Sequence, residues 1–169
     1  MTMTSGITDP PRAAPTRLDE LAPLTLIERT DGGIPKIAEW LRRQQETGAA
    51  ILWLDAEGGD DADAFFQRLE SSLVQAGIVS AGLTAAASPG LPGTAWLGVA
   101  AALERVAERL IVVIENADRL DSFGVARQLC ALLDTTSALH IVACARNPSP
   151  LSAAASRYRV RTVTVTATV

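Results

Sequence analysis

The 169-residue chain contains one histidine, two cysteines and a single tyrosine, and each scarcity excludes something. With His140 as the sole imidazole, a multi-His metal centre is ruled out and a His-based catalytic triad has almost no room. Cys130 and Cys144 fall in an expected helix and an expected strand, without metal-type spacing, so they read as reduced core thiols of a cytoplasmic protein. Basic residues are in the minority, 15 against 19 acidic ones, and a net charge of −4 argues against nucleic-acid binding as the main business. No apolar run approaches the roughly 20 residues of a membrane helix. The first sixteen residues lack the apolar segment of a secretory signal, so none is expected.

What is present is a globular composition, 48% hydrophobic and 20% charged, on a length that supports one domain with a real core. Its organising stretch is Arg109-Leu-Ile-Val-Val-Ile-Glu-Asn-Ala-Asp118. The apolar run Leu110 to Ile114 is mostly β-branched and carries no alternating polar residue, so both faces of the strand must be buried. Such a strand belongs at the centre of a parallel sheet covered by helices. Glu115 then sits at its carboxyl end, where open α/β sheets bind ligands. From this stretch alone, a metal-holding acid and a solvated strand end are equally good readings.

Residues 1–17, with Pro10, Pro11 and Pro15 among small polar residues, read as a flexible arm, and 18–169 as the domain. Strands are expected at Leu24–Ile27, Ala49–Leu54, Leu110–Ile114, Leu139–Cys144 and Val160–Val165. Helices are expected at Ile34–Glu46, from about Phe65 to Gln75, at Thr94–Glu108, Arg119–Leu133 and Leu151–Ser156, with a long Gly/Ala/Ser-rich connection over 77–93. Alternation of this kind predicts a three-layer α/β domain, a parallel sheet with helices on both faces. Trp40, Trp53 and Trp96 read as core residues. The acidic stretch Glu57, Asp60, Asp61 and Asp63 lacks the spacing of a Ca²⁺ loop and fits the start of a helix instead.

Four segments together resemble the NTPase domain of the LuxR-type and maltose-regulator-type signal-transduction ATPases. They are Leu24–Ile27 with Ala38-Glu-Trp-Leu41, Ile51-Leu-Trp-Leu-Asp55 with Gly59–Asp63 and Phe65, Leu110–Leu120, and Ile141–Arg146 with Pro148 and Leu151. In that family they correspond to the phosphate-loop strand and helix, a "WLsLD" block, the Walker-B strand and the sensor strand. The resemblance implies a P-loop NTPase of the RecA/ASCE-like kind with strand order 5-1-4-3-2.

The departures from the family lie at its catalytic positions. A working phosphate loop reads G-x-x-x-x-G-K-[ST], in which backbone N–H groups, the Lys and the hydroxyl hold phosphate and Mg²⁺. Counting back from Ala38-Glu-Trp-Leu41, Gly33 takes the Lys position and Ile34 the hydroxyl position, and Lys36 comes three residues too late. Glu28 and Asp31 place negative charge where phosphate would sit. Glu115-Asn116 stands where the family has Asp-Asp, and an amide cannot take a proton from attacking water. Asp118 is expected to cap a helix beginning near Arg119. Arg146 occupies the position of a phosphate-sensing arginine, or else pairs with Glu115 or Asp118.

The degenerate nucleotide site therefore comprises Gly32, Gly33, Glu115, Asn116 and Arg146, with no catalytic residue, no metal and no cofactor expected. The expected function is a non-hydrolysing, regulatory module acting through protein contacts, as a homodimer or with a partner along an exposed sheet edge, without membrane or direct nucleic-acid binding. Three alternatives remain open: a weak ATP/ADP–Mg switch domain of a LuxR-type regulator, resting on the two glycines as an anion nest; a RecA-like accessory protein that recruits or inhibits another ATPase; and an excised or truncated regulator, since the helical repeats and C-terminal helix-turn-helix that the resemblance implies have no counterpart in this sequence.

Overall fold

The computed structural model describes residues 22–29, 34–59, 61–80, 92–120, 123–146 and 148–167. The expected arm at 1–17 lies outside them. In chain order the elements are β1 (Leu24–Arg29), α1 (Ile34–Glu46), β2 (Ala50–Asp55), α2 (Ala62–Gln75), α3 (Ala95–Leu103), β3 (Leu110–Glu115), a 3₁₀ turn (Ala117–Arg119), α4 (Phe123–Thr135), β4 (Leu139–Ala145), α5 (Pro150–Arg157) and β5 (Thr162–Ala167). The five strands form one sheet in the order β2-β3-β4-β1-β5, which is the expected 5-1-4-3-2 read from the other edge. Every neighbouring pair is parallel.

That order explains the layers. The β1-to-β2 connection crosses β4 and β3 in one direction, whereas every later crossover steps the opposite way. With all crossovers right-handed, α1 lands on one face and α2 to α5 on the other. The core is divided accordingly. Ile37, Trp40 and Leu41 of α1 pack on Ile27, Ile111, Val113, Val142 and Cys144. Phe65, Leu69, Val99, Val125, Leu129 and Leu151 pack with Leu26, Val112, Ile114 and Ile141 on the far side. The strand β3, between β2 and β4, buries every residue from Leu110 to Ile114, as its unbroken apolar run requires.

Several local expectations need correction. Trp53 is 48% exposed, because β2 is an edge strand and its outward residues lie beyond the cover of α1. Trp40 is buried, as expected, and Trp96 is half-buried. The helix expected over 94–108 is only Ala95–Leu103, and Leu97 faces solvent while Val99, Ala100, Ala102 and Leu103 face the core. No helix starts at Arg119: the chain makes one 3₁₀ turn there, and α4 begins at Phe123. The acids at the start of α2 act one by one. Asp61 caps the helix by accepting the Ala64 N–H at 2.8 Å. Asp63 accepts the Gly93 N–H at 2.6 Å and the Ala95 N–H at 3.3 Å, tying α2 to the start of α3. No helix among the described residues is long and apolar enough to cross a membrane.

Candidate functional site

In a parallel sheet the place for a ligand is set by topology. The chain leaves the carboxyl end of β1 toward one face and the carboxyl end of the adjacent β4 toward the other, which opens a crevice between them. A cavity of about 70 Å³ occurs at that point, lined by Ile27, Glu28, Ala145, Ser149 and Thr164 among others. Small-molecule sites measure about 300–1,000 Å³, so this crevice, over the described residues, is well below that size. The one charged side chain among its described lining residues is Glu28, which repels phosphate rather than attracting it.

The phosphate-loop positions Gly32 and Gly33 lie outside the described residues, as does Asp31. The elements on either side nevertheless bound that loop. β1 ends at Arg29 and α1 begins at Ile34, which leaves four residues between them. A phosphate loop needs about six, from its first glycine to its second, ahead of the lysine.

Beside the crevice, the strand-end residues form a hydrogen-bonded rim. Glu115 lies in register with Asp55 on the neighbouring strand. Two residues on from Val113, it shares the face that packs on α1, and it is half-buried. Asn116 follows in the left-handed region, φ 53° and ψ 39°. Asn is among the few side chains that tolerate this conformation. Its Nδ2 donates to Asp55 Oδ1 at 2.7 Å. The amide is thereby held by a carboxylate, and an acid at the same position would face that carboxylate instead.

Asp118 does not cap a helix. Its Oδ1 accepts the backbone N–H of Arg146 at 3.3 Å, which joins the 3₁₀ turn to the end of β4. Ser149, buried, makes a second link: its Oγ donates to the Ala117 carbonyl at 3.0 Å and accepts the Leu151 N–H at 3.2 Å, capping α5. Arg146 is exposed, and among the described residues no ion pair joins it to Glu115. No group of three or more His, Cys, Asp or Glu side chains among the described residues is placed to hold a metal ion. The structure thus brings Glu115, Asn116 and the Arg146 backbone to one sheet edge. Asp55 and Ser149, which sequence reasoning did not assign to the site, complete it. A strand ending in an acid was a legible signal for Asp55; nothing local signals Ser149.

This sheet order, with the crevice at its switch point, is the P-loop NTPase α/β fold. Solved structures agree. A chain of Drosophila ORC bound to AT-rich DNA and Cdc6 superposes with TM-score 0.55 at 16% identity, over 85% of this chain and 48% of that one. The Walker-type ATPase of Pyrococcus abyssi gives 0.53 at 16% identity, over 86% and 49%. A chain of Drosophila ORC bound to DNA gives 0.54 at 15% identity, over 85% and 79%. The chain spans about half the length of the first two. No family model matches the sequence, and no curated protein matches it.

Proposed function

We propose that this chain is a catalytically degenerate P-loop NTPase-like module, regulatory in role, that works through protein contacts and not through ATP turnover. The observation that carries this reading is the bond from Asn116 to Asp55. The position of a catalytic acid holds an amide, and that amide is engaged as a hydrogen-bond donor to a neighbouring strand. A general base must accept a proton, which this group cannot do. The short β1–α1 connection, the absence of Lys and hydroxyl at Gly33 and Ile34, and the acidic crevice all support the same reading. Glu115, Asn116, Arg146, Gly32 and Gly33 are then remnants of the nucleotide site of the LuxR-type regulators that the sequence resembles.

Protein contact is supported by the two sheet edges. Among the described residues β5 pairs on one side only, with β1, and its run Thr-Val-Thr-Val-Thr-Ala is β-prone and uncharged. Such an edge is a template for another strand. The opposite edge strand, β2, carries the exposed Trp53. A second copy or a partner strand on β5 is the contact we favour. Measuring phosphate release from Mg·ATP, alongside a nucleotide-binding titration, tests the proposal. Release at the buffer blank supports it; saturable turnover overturns it.

A further inference from the structure

A cavity of about 380 Å³ lies on the helical layer, away from the strand ends. This volume falls in the range of small-molecule sites, which runs from about 300 to 1,000 Å³. One stripe of α4 lines it, Arg127, Ala131 and Asp134 at helical spacing, with Cys130 beside Ala131. Trp96 of α3 and Tyr158, just past α5, line it as well. Trp96 is half-buried and Tyr158 is 43% exposed, so both aromatic groups keep surface for a ligand's apolar part.

Arg127 and Asp134 are the two charged side chains of this lining. Seven positions apart on one helix, their Cα atoms are separated by about 10 Å along its axis, two turns. Both are exposed, and among the described residues neither side chain has a hydrogen-bond or ion-pair partner. Asp134 stands in the last turn of α4, where a negative charge opposes the helix macrodipole and a positive one is favoured. The stripe between the two charges is neutral. Ala131 is apolar, and burial pushes the pKa of the Cys130 thiol up to about 11, so no thiolate forms there at neutral pH.

We propose that this cavity binds a small linear zwitterion, whose carboxylate meets the Arg127 guanidinium and whose ammonium meets the Asp134 carboxylate, with an apolar spacer running past Ala131 and Cys130 between Trp96 and Tyr158. The direction follows from the helix, because the ammonium then lies at the carboxyl end of α4, where its charge offsets that of Asp134. The guanidinium matches a carboxylate with two parallel N–H donors. The length follows as well. An α-amino acid carries both charges on one carbon and falls short of the span. The reach of the Arg127 side chain shortens the gap, which leaves a spacer of about five methylenes. None of the strand-end residues takes part, so the site stands or falls apart from the question of nucleotide.

The test uses the full chain with 6-aminohexanoate as probe, and hexylamine and hexanoate as the same spacer with one charge each. Binding is followed by NMR at the Trp96 indole N–H. The zwitterion should shift this signal saturably in the millimolar range, and each singly charged probe should bind about threefold more weakly or worse, one exposed ion pair's worth. 3-Aminopropanoate, with both charges on a shorter spacer, should bind no better than the singly charged probes. Arg127→Gln should bind 6-aminohexanoate no better than hexylamine, and Asp134→Asn no better than hexanoate. Both positions are exposed, so both variants should keep the wild-type circular dichroism spectrum. No saturable shift at Trp96, or a wild-type affinity for hexylamine or hexanoate equal to that for 6-aminohexanoate, overturns the proposal.

Discussion

Asn116 and Asp55, 61 residues apart in sequence, are joined at 2.7 Å across the ends of β3 and β2. The bond pins the left-handed residue that turns the chain off the central strand. It also accounts for an amide where a P-loop NTPase has an acid. An aspartate at 116 would set two carboxylates against each other at hydrogen-bond distance. Asn116→Asp should therefore lower stability by about 1 kcal/mol at neutral pH, less than a buried pair would because the site is exposed. Urea melts of both proteins at neutral pH measure it. Equal stability at neutral pH would mean that the bond does not organise the turn.

The core strand gives a larger effect. Val112 is 2% exposed and lies on the face covered by α2 to α5, between strands on both sides. A carboxylate there has no partner, and burying it unpaired costs several kcal/mol, a large share of a domain's total stability. Val112→Asp should abolish soluble expression. A soluble variant with native circular dichroism would place this strand at the surface.

His140 provides a pH dependence. Burial lowers its pKa from 6.5, with Arg109 and Arg161 adding to the effect, against an opposing hydrogen bond from Nδ1 to the Ala22 carbonyl. The unfolded chain therefore binds the proton more readily than the folded one. Stability is fully present above the unfolded value of about 6.5 and falls as the pH drops below it. His140→Gln keeps a donor for Ala22 and should flatten that slope in denaturation curves taken between about pH 5 and 7. An unchanged slope would assign the pH dependence to other groups.

How much of this was legible follows from where each signal resides. The run Leu110–Ile114 announces a central strand because burial on both faces leaves no polar residue in it, and the alternation of five strands with helices fixes a parallel sheet. Helix α1 could be bounded to the residue because its apolar positions Ile37, Trp40 and Leu41 recur at helical spacing. Trp53 was misread because exposure of an edge residue depends on how far the covering helix reaches, which no local pattern encodes. Asp118 was misread for a related reason: a carboxylate near a helix start favours capping, and a backbone N–H 28 positions away, that of Arg146, takes it instead. A cavity of about 380 Å³ lined by Trp96 of α3, by Gln128 and its neighbours on α4, and by Gly93 and Tyr158 draws on separate segments, and no single one of them signals it.

The edge of β5 supplies an association test. Val163 and Val165 are half-buried on a strand that, among the described residues, pairs on one side only. Light scattering should give a dimer for the intact chain and a monomer for the Val163→Lys, Val165→Lys variant, since charged residues on an edge block strand addition. A monomer before the change, together with no partner recovered by cross-linking in extract, would remove the case for this contact.

The central claim, that the P-loop fold here has lost its chemistry, is tested most directly by phosphate release from Mg·ATP at high protein concentration. With an amide at position 116 bound to Asp55, and no lysine or hydroxyl at Gly33 and Ile34, release should equal the buffer blank. Turnover above the blank that disappears in Glu115→Ala would contradict the account and return catalysis to the end of β3.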